Sequence, residues 1–241
     1  MSMTRPTQIR GRTPHALSLV ALVFAITWHG MGCLAGTPVS VRAEAYMAEA
    51  QGMEPQVTPV LERLASEHAG RMYKLEHRLK RRGSLIRKIN KILTEKPGMR
   101  LEEVRINDAL RYTILVADQP PGHHLNAVTR VLSTLEDLGH RVITVKNYWP
   151  RGDNYSGINS VLKAPGGLTW ELQFHTEASV ETNGKTREMY EELRLTTTPI
   201  HRKRTLFDAM SALWEEVTIP EGLLVEYALH PTERIILRPR P

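Results

Sequence analysis

The chain has 241 residues, 41% of them hydrophobic and 24% charged, a balance that supports a packed core and excludes wholesale disorder. Its formal net charge is +6, but Arg5, Arg10, Arg12 and Arg42 precede every acidic residue, and beyond them 28 basic side chains face 26 acidic ones. A body so nearly balanced is not that of a general nucleic-acid coat protein.

The N-terminus has the layout of a secretory leader. Arg5, Arg10 and Arg12 form a basic start, Ala16 to Trp28 is a largely apolar run of 13 residues, and Val41-Arg-Ala43 or Ala43-Glu-Ala45 would suit a signal peptidase. The run falls short of the roughly 20 apolar residues a membrane span needs, so export without a stable span is expected, with a retained N-terminal anchor as the alternative. Removing residues 1–43 also removes Cys33, the only cysteine, which excludes disulfides and thiolate chemistry from the mature chain.

Within a helical lead-in over residues 44–70, leucines and methionines at three- and four-residue spacings predict a helix from Val57 to about Leu79. Gly83 interrupts it, and Ser84 is a natural cap for a second helix carrying Leu85, Ile86, Ile89 and Ile92, which ends before Pro97. A strand is expected over Leu110–Val116, a helix over Leu125–Leu138 and a short strand over Arg141–Lys146. The loop around Pro150-Arg-Gly-Asp-Asn154 then leads into a hairpin, Ile158–Lys163 and Leu168–Thr176, joined by Ala164-Pro-Gly-Gly167. Helices follow at about Lys185–Leu195 and Lys203–Val217, and residues 218–241 read as an extended tail. Helices, then strand–helix–strand and a hairpin, then helices again, predict an α+β domain with a mixed β-sheet flanked by helices.

Three stretches carry chemistry. In Trp170–His175 the apolar Trp170, Leu172 and Phe174 alternate with Glu171, Gln173 and His175, so one face of a strand seals a core while the other lines up a carboxylate, an amide and an imidazole. Between Arg71 and Lys91, nine basic residues stand against the single acid Glu76. Such density repels itself unless an anion sits among it, and it suits a side-chain clamp for polyphosphate, since no Gly-rich phosphate loop occurs. Asp108 before the first long strand and Glu171 within a later one are the carboxylates that could share a magnesium ion with phosphate oxygens. Tyr155, on a Pro/Gly loop, is a candidate for stacking on a base.

These pieces together resemble the synthetase domain of RelA/SpoT-type alarmone synthetases over residues 71–217, with a nucleotidyltransferase-like synthetase fold. Arg78-x-Lys80-x-x-x-Ser84-x-x-x-Lys88 has the spacing of that family's ATP-binding segment. Asp108 and the strand from Leu110 resemble its magnesium Asp and first strand, Lys146-Asn-Tyr-Trp and Tyr155-Ser-Gly-Ile-Asn159 its acceptor loop, and Glu171-x-Gln173-x-His175-Thr176 its Glu-x-Gln-x-Arg-Thr strand. The stretch Lys185 to Arg194 is most similar to secreted and toxin-like branches. No His-Asp dipeptide occurs, so the family's hydrolase half is absent.

The resemblance implies magnesium-dependent transfer of pyrophosphate from ATP to the 3′-hydroxyl of a purine nucleotide, GDP or GTP for an alarmone maker and ADP or ATP for a toxin. It implies Arg78, Lys80, Ser84 and Lys88 on ATP, and Asp108 and Glu171 as catalytic metal ligands. Lys146, Tyr155, Asn159, Gln173 and His175 would hold the acceptor. An exported member of this kind implies an immunity or antitoxin protein as partner. Two departures bear on the acceptor: Asn147 replaces an Asp, and His175 replaces an Arg, exchanging a permanent charge for one expected to titrate near neutrality. A transferase acting on the 3′ end of RNA and an inactive nucleotide-binding module are the alternatives.

Overall fold

The computed structural model describes residues 38–151 and 154–224. The expected leader therefore lies almost wholly outside the described residues, as does the expected extended tail beyond residue 224. The first described element is a 30-residue helix, α1 (Pro38–Glu67). Its buried residues Ala43, Tyr46, Ala50, Met53, Val57, Leu61 and Leu64 recur at three- and four-residue spacings, one stripe that faces the core. The Tyr46 hydroxyl donates to the Val104 carbonyl at 2.7 Å, pinning the helix to the loop ahead of the sheet.

The helix predicted to run to Leu79 stops twelve residues earlier. Ala69 has φ of 51°, and a Cβ at the next residue, Gly70, would come within 2.6 Å of the Leu115 carbonyl oxygen, so the chain can turn against the sheet only with glycine there. Met72, Leu75 and Leu79 keep helical spacing but belong to the short strand β1 (Arg71–Met72) and the turns after it. Helix α2 (Arg82–Glu95) begins two residues before Ser84, with Arg81 as its N-cap, and buries Leu85 and Ile89.

Strand β2 (Arg111–Leu115) leads through α3 (His123–Asp137) to β3 (Arg141–Asn147). The hairpin β4 (Ile158–Lys163) and β5 (Thr169–His175) follows, its turn closed by Gly167 at φ of 94°. Helices α4 (Glu177–Leu193) and α5 (Ile200–Glu215) complete the described chain. Helix α4 starts eight residues before the predicted Lys185, because Thr176 caps it and Gly184 is carried inside it without a break.

The sheet order is β1-β2-β5-β4-β3, with β2 and β5 parallel and the other neighbours antiparallel. The α3 crossover thus carries the chain from β2 to the far edge, and the hairpin fills the gap between. This is the α+β architecture expected, a mixed sheet flanked by helices. One face is apolar: Tyr112, Ile114, Val145, Leu162, Trp170, Leu172 and Phe174 are all buried. Trp170 meets Tyr112 edge-on at 5.9 Å and donates its indole N–H to His140. Among the described residues no helix is long and apolar enough to cross a membrane.

Candidate active site

The opposite face of the sheet is polar, and strand register sorts it into rows. Lys146 pairs with Asn159, Asn159 with Gln173, and Gln173 with Thr113, so one row crosses four strands. The neighbouring row sets Arg111 of β2 directly beside Glu171 of β5. The amide of Gln173 donates to Glu171 Oε1 at 2.6 Å and accepts from the Thr113 hydroxyl at 3.0 Å, which fixes the carboxylate and commits both ends of the amide. Burial raises the Glu171 carboxyl above its ordinary range, opposed by the Arg111 charge and the Gln173 hydrogen bond and assisted by the nearby Asp108.

Asp108 sits just ahead of β2 and is 8% exposed. Lys80 Nζ donates to its Oδ2 at 2.6 Å and Lys88 Nζ to its Oδ1 at 2.7 Å. Burial alone would raise this carboxyl, but the two ammonium groups outweigh it and hold it below the usual carboxylate value. The i, i+8 spacing of Lys80 and Lys88 therefore meets on one carboxylate, with Lys80 before α2 and Lys88 on it. Ser84, in the first turn of α2, accepts from Arg87 Nη2 at 3.0 Å.

Arg78 is held from the lead-in helix. Its Nε donates to Glu54 Oε1 at 2.6 Å and its Nη1 to the Leu75 carbonyl. Thr58 donates to the same Glu54 oxygen and contacts the Tyr112 hydroxyl at 2.7 Å, so α1 and β2 together set this guanidinium. Glu54 is a functional candidate that sequence reasoning missed; nothing in the sequence set it apart from the other glutamates of the lead-in helix as the partner of Arg78.

Arg78, Tyr155, Asn159, Gln173 and His175 line one cleft of about 830 Å³ between the polar sheet face and α4. Lys80, Ser84, Lys88, Asp108, Glu171 and Lys146 are not among its lining residues, although Arg111 and Gln173 connect it to the carboxylates. Lys74 from the basic run and Tyr148 from the acceptor-loop stretch line the same cleft, as do Arg187 and Tyr190 on α4, to which sequence reasoning assigned no site role. Lys74 holds φ of 49°, a left-handed conformation costly for a side chain of this kind. Arg187 forms no ion pair among the described residues, whereas Lys185 and Arg194 beside it are paired with Glu181 and Glu191.

The ring of Tyr155 meets Tyr148 at 5.2 Å and His175 at 5.3 Å, both edge-on. Its hydroxyl donates to Asn159 Oδ1 at 2.8 Å and lies 2.9 Å from His175 Nε2. His175 is 2% exposed, and burial, reinforced by the nearby His124 and opposed by a backbone contact with Ser156, lowers its imidazole to about 4. The charge expected to titrate near neutrality is instead held neutral there. Asn147 points to the other face: its side chain donates to the Leu223 carbonyl and accepts from the Trp149 N–H, a structural tie, and it is not among the residues lining the cleft.

No cluster of three or more His, Cys, Asp or Glu side chains that could hold a metal ion by itself occurs among the described residues. Asp108 and Glu171 nevertheless fit magnesium, which takes hard oxygen ligands and completes its shell with water and phosphate. Each Asp108 oxygen accepts one ammonium proton and keeps a further lone pair, and a cation would relieve the mutual charge that helps raise Glu171.

The mixed five-stranded sheet with flanking helices is a fold found among solved structures. The structure of small alarmone synthetase 1 from Bacillus subtilis shares it with a TM-score of 0.50 at 15% identity, covering 71% of this chain and 90% of that one. The Type VI effector Tas1, solved in complex with its immunity protein, is similar at 21% identity with a TM-score of 0.45, over 73% of this chain and 93% of its own. A GTP pyrophosphokinase family protein from Streptococcus pneumoniae is similar at 14% identity with a TM-score of 0.46, over 71% and 85%. No family model and no curated protein matches the chain.

Proposed function

We propose that this chain is an ATP-dependent pyrophosphokinase that forms a 3′-pyrophosphorylated purine nucleotide. The observation that carries this is the Asp108–Glu171 pair at neighbouring parallel strands, with two lysines on the first and Arg111 against the second. The fold shared with a small alarmone synthetase supports it.

In the proposed reaction the 3′-hydroxyl oxygen of the acceptor attacks the β-phosphorus of ATP, the bond to the α-phosphate oxygen breaks, and AMP leaves. Glu171, oriented by Gln173 and free of the lysine ammonium groups that hold Asp108, takes the hydroxyl proton. Asp108 stays ionised between Lys80 and Lys88, and the remaining ammonium protons of those lysines bind the triphosphate, with Arg78 and Ser84 assisting. Asp108 and Glu171 would hold magnesium, which when bound would neutralise charge on the phosphate oxygens. Tyr155 offers the acceptor base an aromatic surface, and Lys146, Asn159, Gln173 and His175 complete the acceptor wall.

Incubating the chain with labelled ATP and a panel of GDP, GTP, ADP, ATP and RNA 3′ ends tests this. A pyrophosphorylated purine nucleotide that disappears with Glu171→Gln is the expected product. Product on RNA alone would replace the proposal with the RNA transferase, and ATP bound without any product would leave an inactive module.

The proposal extends to location: the basic, acid-free start and the apolar run Ala16–Trp28 support an exported effector or toxin neutralised by an immunity protein. Fractionation with N-terminal sequencing tests export, and an uncut cytosolic product would end that part. The expected cleavage sites, Val41-Arg-Ala43 and Ala43-Glu-Ala45, fall within α1, so residues 38–241, which keep the described helix whole, are the segment to express in a bacterial cytoplasm. Growth should arrest with that segment and continue with its Glu171→Gln form.

A further inference from the structure

The Tyr155 hydroxyl has one proton, and it is donated to Asn159 Oδ1 at 2.8 Å. Its second close partner, His175 Nε2 at 2.9 Å, must then be the donor, which places the imidazole proton on Nε2. Nδ1 is left as an acceptor, and the Ser179 hydroxyl lies 3.0 Å from it. Proton donation therefore runs one way from His175 through Tyr155 to Asn159, and Ser179 completes the chain as a donor when its proton turns to Nδ1 and away from the Thr176 carbonyl. The Thr176 carbonyl, also 3.0 Å from Ser179 Oγ, is the competing acceptor for the serine proton.

We propose that Ser179 and His175 are positioning residues of the acceptor wall, forming a directional hydrogen-bond relay that sets the Tyr155 hydroxyl and, through it, the Asn159 amide. The inference rests on the pyrophosphokinase proposal for its functional meaning but on contacts alone for its geometry. Three features show a built arrangement. A Cβ at Gly157 would come within 2.5 Å of His175 Cε1, so the ring lies directly on the glycine backbone. Ser179 is fully buried and fixed in the first turn of α4 by its exchange of hydrogen bonds with Thr176. Asn159 sits in register between Lys146 and Gln173, so a shift of its amide alters the centre of the row. Burial keeps the imidazole uncharged, as a donor–acceptor relay requires.

The relay fixes which end of Asn159 meets the acceptor. With Tyr155 holding Oδ1 in place, the Asn159 amino group, which makes no hydrogen bond among the described residues, is the end turned to the ligand. The acceptor nucleotide therefore presents a hydrogen-bond-accepting oxygen or nitrogen at Asn159.

Ser179→Ala, Tyr155→Phe and the double variant, made in the full chain, test the relay through steady-state KM values for acceptor and ATP. Each single change should raise the acceptor KM about tenfold and leave the ATP KM unmoved, the size of one lost hydrogen bond. The double variant should be no worse than either single, because both cut the same chain. Ser179→Thr, which restores a hydroxyl, should restore the acceptor KM. Nitrogen-15 spectra of the His175 ring should show the neutral Nε2–H tautomer in the wild type. An Nδ1–H tautomer, additive effects in the double variant, or an equal rise in both KM values would overturn the relay. Absence of transfer to every acceptor would instead defeat the pyrophosphokinase proposal, and the tautomer would still decide the relay.

Discussion

Asp108 accepts an ammonium proton on each oxygen, so its negative charge serves both the fold and the proposed chemistry. Asp108→Asn keeps the shape but leaves Lys80 and Lys88 facing each other without a counter-charge. It should abolish transfer and also cost roughly 1.5–3 kcal/mol of stability, readable by denaturant titration beside a turnover assay. Glu171 differs, because its burial already disfavours the charged form. Glu171→Gln should therefore remove turnover with little loss, or a gain, in stability, while a variant retaining near-normal turnover would exclude Glu171 as the proton acceptor.

Helix α4 forms one wall of the cleft, and it presents Arg187 with no ion-pair partner among the described residues. Arg187→Ala should weaken acceptor binding about tenfold with no change in melting temperature, since an exposed unpaired charge contributes to a ligand and not to the fold. Equal acceptor affinity in the variant would make that helix face a solvated surface only. The loop into β4 is the opposite case. Gly157→Ala puts a methyl group into the His175 ring and should cost on the order of 1–3 kcal/mol, since a buried ring pinned by Tyr155 and Ser179 has no room to move.

For the molecule as a whole, His175 sets a pH dependence of stability. Its folded value near 4 lies below the ordinary 6.5, so above that value both folded and unfolded chains hold it neutral and its contribution is complete. As pH falls from 6.5 toward about 4 the unfolded chain takes the proton first and stability is lost; the buried His124, also lowered, adds to the same slope. The loss attributable to His175 should be roughly 3 kcal/mol across that window. Denaturant midpoints at several pH values in the wild type and in His175→Asn check this, the variant being the flatter of the two; parallel curves would mean that His175 titrates alike in the folded and unfolded chains.

Period and spacing made much of this protein legible. The alternation from Trp170 to His175 set the two faces of β5, the hairpin turn followed from its glycines, and the spacing of Lys80 and Lys88 drew attention to the two ammonium groups that meet on Asp108. These are local facts, fixed by helix and strand geometry within a few residues. What a chain pattern could not supply was which partner each charge would choose. Lys80 and Lys88 meet on Asp108, Arg78 is held by Glu54 from a helix that looked like a lead-in, and Arg187 reaches the cleft from α4. Each of these depends on long-range packing: the crossover to the far sheet edge, the docking of α1 and the return of α4 bring together groups far apart in sequence. The state of His175 follows the same logic, because burial under Tyr155 and Ser179, not the imidazole itself, decides whether it carries a charge.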